Sequence, residues 1–381
     1  MKKALAAVLS AILALLCACG ASAPAEDAAP AMAETTPAPS LTPAPTAQPA
    51  PDLARAYAKY PPETLVMTVD GSPVDWETYF GALSQRANFF WLYYGLSDYT
   101  AQLDEDGETV GDWIREQAEI DLRSMVMFRP WADELGLSLT GEDYAAVERE
   151  IQDYADDWYG GDTAAMFEDL GASGAFTRSQ GLYARLGDAV FAHFFGPEGE
   201  KLSDEEAVAV AADRGYVYAK RILFLTVGQD GRQLTEAEKE EKRAEAEAAL
   251  AELRSGPAGT LAERFDAMMR ARSEDQGLEV YPDGYYFTAG ELDAMYDAVL
   301  ALETGELSGL VECDYGFQLI YRPEMDAGHI FETDEETGQP YTLRRWAAGI
   351  LFNAIAEERY EAAAVEYSPG FEQLDIAALF A

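Results

Sequence analysis

Two histidines, His193 and His329, and three cysteines, Cys17, Cys19 and Cys313, are the whole supply of the most reactive side chains in 381 residues. Three cysteines rule out a disulfide framework and a multi-cysteine zinc site. Two histidines supply serine–histidine and metal-hydrolase chemistry poorly. Acid runs at Asp104-Glu105-Asp106 and Asp334-Glu335-Glu336 offer oxygen ligands for Ca²⁺. They lack the spacing of a known calcium loop such as the twelve-residue EF-hand pattern. No metal and no cofactor is expected. The formal charge is -42, from 27 Lys+Arg against 69 Asp+Glu. That argues against nucleic acid as a partner, because phosphate contacts need clustered cations. Hydrophobic residues make up 49% and aromatic residues 12%, enough to build real cores. The length allows about two domains.

The chain opens as an address rather than as structure. Lys2 and Lys3 precede a largely apolar run from Ala4 to Leu16, the length of a signal-peptide core and too short to span a bilayer. Leu16-Cys17-Ala18-Cys19 follows and resembles the bacterial lipobox. That resemblance implies a thioether-linked lipid on Cys19, which becomes the mature N-terminus; ordinary secretory cleavage near Ala21 or Ala23 is the alternative. From Gly20 to about Pro62 the chain is Ala, Pro, Thr and Ser, with ten of the 18 prolines between Pro24 and Pro62. This composition predicts an extended tether.

The elements of the body follow from pattern. Leu65–Val69 reads as a strand closed by an Asp70-Gly71 turn, and Asp75 as the N-cap of a helix running through Tyr94. Helices are predicted at 111–135, 140–158, 162–170, 176–195 and 203–213, with Thr140–Asp143 and Ser203–Glu206 as capping pairs. From Tyr216 the texture changes. A strand over 216–227 leads to helices at 235–253 and 260–271, an extended piece at 284–287, a helix at 291–302 and a hairpin around Asp314-Tyr315-Gly316. Residues 341–366 read as a helix with Leu343, Trp346, Ile350, Leu351 and Ile355 on one stripe. The charged helix over 236–252 reads as a solvated surface helix with ordinary i,i+4 support.

Three stretches of this second region resemble the parvulin class of peptidyl-prolyl isomerase domain. They are Ala219-Lys220-Arg221-Ile222-Leu223-Phe224, then Phe265 through Ser273-Glu274-Asp275, and Asp283-Gly284-Tyr285-Tyr286-Phe287 followed by 301–308 and 315–320. The flanks resemble, by element order, the bacterial PrsA and SurA foldases, in which a helical chaperone module built from both chain ends carries an inserted parvulin domain. The implied fold class is α+β. The implied layout is a signal peptide at 1–18, a lipidated cysteine and linker at 19–62, a helical module at 63–214, a parvulin-like domain at 215–325 and a returning helix at 326–381.

Prolyl isomerisation crosses a barrier of about 18–20 kcal/mol and makes no bond to the substrate. A catalyst seats the proline in an apolar pocket and favours the twisted amide. The resemblance implies two facing histidines, a Cys or Asp beside them, and a Met/Phe-type pocket. Carried onto this sequence, the histidine positions fall on Arg221 and Gln318 and the Cys/Asp position on Asp275. The pocket positions fall on Met295 and, one residue out of register, Leu292, with Phe287 as an aromatic wall. In one reading Gln318 exchanges hydrogen bonds as an imidazole would, while Asp275 polarises the amide. In the other, Arg221, which stays protonated, pairs with Asp275 and the site is inert. In the helical region Trp76, Tyr79, Phe80, Phe89, Phe90, Trp91, Tyr93 and Tyr94 crowd one segment, as core or as an apolar cradle for unfolded chains. The expected protein is a lipid-anchored foldase on the extracytoplasmic face of a bacterial membrane, with unfolded or newly secreted polypeptides as partners and weak or absent isomerase activity. A working isomerase and a non-catalytic envelope scaffold are the alternatives.

Overall fold

The computed structural model describes residues 53–380 except 96–97, 104–106, 229–230, 258, 334–337 and 373. The signal segment, Cys19, most of the Pro-rich stretch and both acid runs lie outside the described residues. The chain divides into two compact units, one reaching to Lys201 and resuming at Gly349, the other Leu202–Ala348.

The first unit begins with α1 (Leu53–Lys59), β1 (Leu65–Val69), β2 (Ser72–Asp75) and α2 (Trp76–Tyr94). The stretch from Leu53 to Lys59 is thus helical rather than extended: it is free of proline, and Ala56 is buried in the core. Asp70 and Gly71 both take positive φ, 47° and 78°, which gives the two-residue connection whose twist suits a tight hairpin. The Asp75 side chain accepts the Thr78 N–H, as an N-cap should. Next come α3 (Val110–Val126) and α4 (Phe128–Glu134), where one helix over 111–135 was expected. Pro130 explains the interruption, since it has no N–H to give the carbonyl of Val126. The unit continues with α5 (Gly141–Tyr159), α6 (Thr163–Leu170) and α7 (Gly174–Phe195). Thr140 and Asp143 form the predicted capping box of α5.

The second unit runs α8 (Asp204–Asp213), β3 (Val217–Leu225), α9 (Glu236–Ser255), α10 (Leu261–Arg272), a 3-10 turn (Gln276–Glu279), β4 (Tyr285–Phe287), α11 (Asp293–Leu300), β5 (Val311–Cys313) and β6 (Gly316–Tyr321). A hairpin not expected from the sequence follows, β7 (Ile330–Thr333) with β8 (Pro340–Thr342), and then α12 (Leu343–Ala362) begins. The expected helix to 366 stops at Ala362. Val365–Tyr367 forms β9 instead, pairing antiparallel with β1 to complete a β2-β1-β9 sheet. A short α13 (Ile376–Phe380) closes the first unit.

Both chain ends build the first unit's core. Trp76, Tyr79, Phe80, Leu83 and Ile114 pack with Phe371, Leu374 and Leu379. Trp76 is fully buried and its indole N–H donates to the Ala56 carbonyl at 3.1 Å. Asp70 ties the return: it accepts the Ala364 N–H at 2.8 Å and pairs with Arg359 at 3.2 Å. Of the crowded aromatics, Trp76, Tyr79, Phe80 and Phe90 are core and Tyr94 is exposed. No helix among the described residues is long and apolar enough to cross a membrane. Trp76→Ala is expected to lower the stability of this unit by about 3–5 kcal/mol, read as an earlier urea midpoint. A loss under 1 kcal/mol, on the order of one surface substitution, would place the indole outside the core.

Candidate active site

The second unit is organised by a four-stranded antiparallel sheet of order β4-β3-β6-β5. Its register sets two faces. Ile222 lies opposite Leu319 and Phe224 opposite Phe317, and these pack on Ala246, Ala249 and Leu253 of α9 and on Phe265 and Met269 of α10. Alternation sends their neighbours the other way. Ala219, Arg221 and Leu223 of β3 share the second face with Ile320 and Gln318 of β6, because Arg221 pairs with Ile320 and Leu223 with Gln318. Tyr285 and Phe287 join that face across Ala219 and Val217.

Asp275 is brought to this face by the loop after α10. That loop runs along β3 past the end of its pairing with β4: Glu274 N–H donates to the Leu223 carbonyl at 2.8 Å, and Leu225 N–H to the Glu274 carboxylate at 2.7 Å. Arg221 grips Asp275 in a two-pronged pair, Nε to Oδ2 at 2.7 Å and Nη2 to Oδ1 at 3.0 Å. The Tyr285 hydroxyl donates to Oδ2 at 2.7 Å, and the Gly277 N–H donates to Oδ1 at 3.1 Å. The guanidinium also sits 5.2 Å from the Tyr285 ring centre. The Asp275 side chain is 4% exposed. Burial alone would raise its pKa, but the hydrogen bonds from Arg221 and Tyr285 and the guanidinium charge outweigh it and hold it below the usual carboxylate range. Burial, then the bond to Asp275, pushes the Tyr285 phenol up. The group is a carboxylate and a cation, both charged and both occupied.

Gln318 is 1% exposed, and its Oε1 is buried with no hydrogen-bond partner. Among the described residues no hydrogen bond joins it to Arg221 or Asp275. Met295 and Phe287 are buried together with Ile320 and Val299, and Leu292 packs against them from the start of α11. All six residues proposed from the sequence therefore belong to one face of the domain, in two sets: a polar knot of Arg221 and Asp275, and an apolar set of Met295, Leu292 and Phe287, with Gln318 buried on the same face. Tyr285 was not singled out. Its signal was the alternation of Tyr285 and Phe287 across a strand, too short at three residues to stand out. Neither histidine joins this set: His193 is exposed on α7 of the first unit, and His329 stacks on Tyr286 at 3.7 Å between ring centres.

Residues 222–324 match the family model of the PPIC-type PPIase domain, a rotamase. This stretch is a parvulin-type domain. No curated protein matches the chain in sequence. Among solved structures it is similar to PrsA of Bacillus subtilis, at 16% identity over 70% of this chain and 91% of that one, with a TM-score of 0.23. PrsA of Bacillus cereus gives 16% over 74% and 98%, with a TM-score of 0.28. A SurA-like chaperone of Campylobacter jejuni gives 14% over 78% and 92%, with a TM-score of 0.22.

Asp275→Asn leaves the Arg221 charge buried without its counter-ion. It is expected to cost about 3–5 kcal/mol, whereas Arg221→Met combined with Asp275→Leu costs less than either change alone. Unfolding of the singles and the double checks this, and additive losses would deny the coupling. The folded-state pKa of Asp275 is depressed, so its contribution is present above the unfolded value of about 3.9 and is lost as pH falls through the folded value. His329 is also depressed, mainly by burial. Its contribution is present above the unfolded value of about 6.5 and is lost as pH falls through the lower folded one. His329→Phe keeps a ring on Tyr286 and removes this proton. The second unit's urea midpoint should then fall less than wild type's as the medium is acidified below neutrality, and an unchanged slope would exclude His329 as its source.

Proposed function

We propose that this chain is an extracytoplasmic foldase or chaperone, held at a membrane by lipid on Cys19, whose parvulin-type site has weak or no isomerase activity. The parvulin-type domain supports the assignment to polypeptide clients. The signal segment and the cysteine after it, read from the sequence, support export and anchoring.

The observation that carries the catalytic part is the Arg221–Asp275–Tyr285 knot. Lowering the isomerisation barrier is favoured by an apolar seat for the proline ring and by hydrogen-bonding groups free to meet a twisted amide. Arg221 is a fixed cation, so it cannot alternate as donor and acceptor. Asp275 already accepts four hydrogen bonds on its two oxygens. A substrate amide would have to displace one of them. Met295 and Phe287, the apolar positions, are filled by each other and by Ile320 and Val299. One observation favours a working enzyme instead: the unpartnered Gln318 Oε1 is the state of an acceptor held for a substrate N–H.

Two measurements test the reading. A short X-Pro peptide should isomerise in the presence of the full chain at close to its unaided rate, on the order of tens of seconds. Acceleration comparable to an intact parvulin would sink the inert site. The chain should also suppress aggregation of an unfolded client, and should still do so when residues 216–325 are removed. Failure of both forms would favour a scaffold role.

A further inference from the structure

We propose that the C-terminal end of α5 is a docking surface for cationic segments of a polypeptide. Trp158 stands there 59% exposed. Tyr154 lies beside it at 6.5 Å between ring centres, and Tyr159 lies 6.1 Å from Tyr154. Tyr154 and Tyr159 anchor on the small core of Val147, Ile151, Ala155 and Met166. Trp158 is the ring presented to solvent, and an indole face is the strongest aromatic acceptor for a cation.

The charges around it are arranged against the helix itself. Asp156 and Asp157 lie in the last turn of α5, which contains no basic residue. Carboxylates there face the negative pole of the helix, where cations are favoured. Asp153 and Asp157 are spaced i,i+4, so two like charges share one helix face. Asp153, Asp156 and Asp157 are all exposed. Earlier along α5 the acids are matched: Glu142, Glu148 and Glu150 pair with Arg149, Arg178 and Arg185. Among the described residues no cation pairs with Asp153, Asp156 or Asp157; Asp156 takes one hydrogen bond, from Gln152 at 2.8 Å.

An exposed indole, a like-charge pair and acids at the wrong helix pole are three separate local costs at one place. Natural sequences keep such conflicts mainly at functional positions. One partner relieves all three: a segment in which one ammonium or guanidinium stacks on Trp158 while a neighbouring one neutralises Asp153 and Asp157. The commitment is to a Lys- or Arg-bearing peptide rather than to a free metal ion, because the aromatic face adds nothing for a hydrated divalent cation. This rests on the proposed chaperone function only in taking a polypeptide as the partner.

The test uses the full chain and three labelled peptides of equal length, Lys/Phe, Glu/Phe and Ser/Phe, with binding read by fluorescence anisotropy at physiological salt. The Lys/Phe peptide should bind best. Trp158→Ala should weaken it about three- to tenfold, the range of an exposed to partly desolvated cation–π contact. Asp153→Asn with Asp157→Asn should weaken it by a similar factor. Glu240→Gln with Glu241→Gln, an equal charge change on the exposed face of α9, should leave it unchanged. The Asp153/Asp157 variant should melt no lower than wild type, because removing like-charge repulsion cannot unfold the helix, so lost binding will not be lost fold. Equal weakening by the α9 control would mean diffuse attraction and overturn the proposal. So would equal binding of the Ser/Phe or Glu/Phe peptide, or a Trp158-dependent response to Ca²⁺ alone without one to Lys/Phe. A chain that protects clients from aggregation yet prefers no cationic peptide overturns only this surface. A chain that binds Lys/Phe through Trp158 but protects nothing overturns only the chaperone function.

Discussion

The carboxylate of Asp275 holds the parvulin-type domain's second face in place. It collects donors from β3 through Arg221, from β4 through Tyr285 and from the 3-10 turn through Gly277. Removing a carboxylate and a guanidinium from water costs several kcal/mol for each ion. That cost is recovered only if the geometry is good and every lone pair is used. The two-pronged pair and the two further donors meet that condition. The same demand fixes the backbone nearby. Gly277 must pass under the Tyr285 hydroxyl, and a Cβ there would strike it. Each of the four bonds to the Asp275 carboxylate must be given up before another donor can take its place.

The β3–β6 register carries the second constraint. Pairing Ile222 with Leu319 and Phe224 with Phe317 buries one face against α9 and α10. A slip of one residue would turn every one of those side chains to the opposite face. The register that serves the core therefore commits Gln318 to the other face beside Leu223, where its amide oxygen finds no partner. An unmet buried acceptor costs about 1–3 kcal/mol. Leu or Met would fit an apolar strand position without that cost. Core packing accounts for where Gln318 lies and gives no reason for its being polar.

What the sequence made legible was local. The caps at Asp75, Thr140 and Ser203 sit within three residues of the N–H groups they satisfy, so short-range pattern suffices. The parvulin-type region was legible because several short stretches fall in a fixed order. The returning β9 was not. Its three residues are too few for periodicity, and its partners are β1 and Asp70, some three hundred positions earlier in the chain. A helical stripe running toward it made continuation of the helix the natural reading. Hairpin β7–β8 escaped for the same reason, since three- and four-residue strands carry almost no alternation. The Arg221–Asp275 contact spans 54 positions. Sequence could offer it only as one of two options, because charge and type say that two groups are able to pair and only the fold says that they meet.

The charge of -42 looks like a global property, yet its effects are local. At physiological salt the screening length is about 8 Å, so a carboxylate on one helix acts little on a ligand two helices away. Pairing decides what each patch can do. In the second unit many acids have partners, as in Lys220–Asp266, Lys242–Glu274 and Arg243–Glu312. Of these the first two are part-buried and only Arg243–Glu312 is exposed; an exposed pair adds at most about 1 kcal/mol, so it matters less for stability than for cancelling the field in front of it. The end of α5 has acids of the same type without such partners and an indole beside them. The two surfaces thus differ in the field they present, and the difference lies in which carboxylates have a cation beside them.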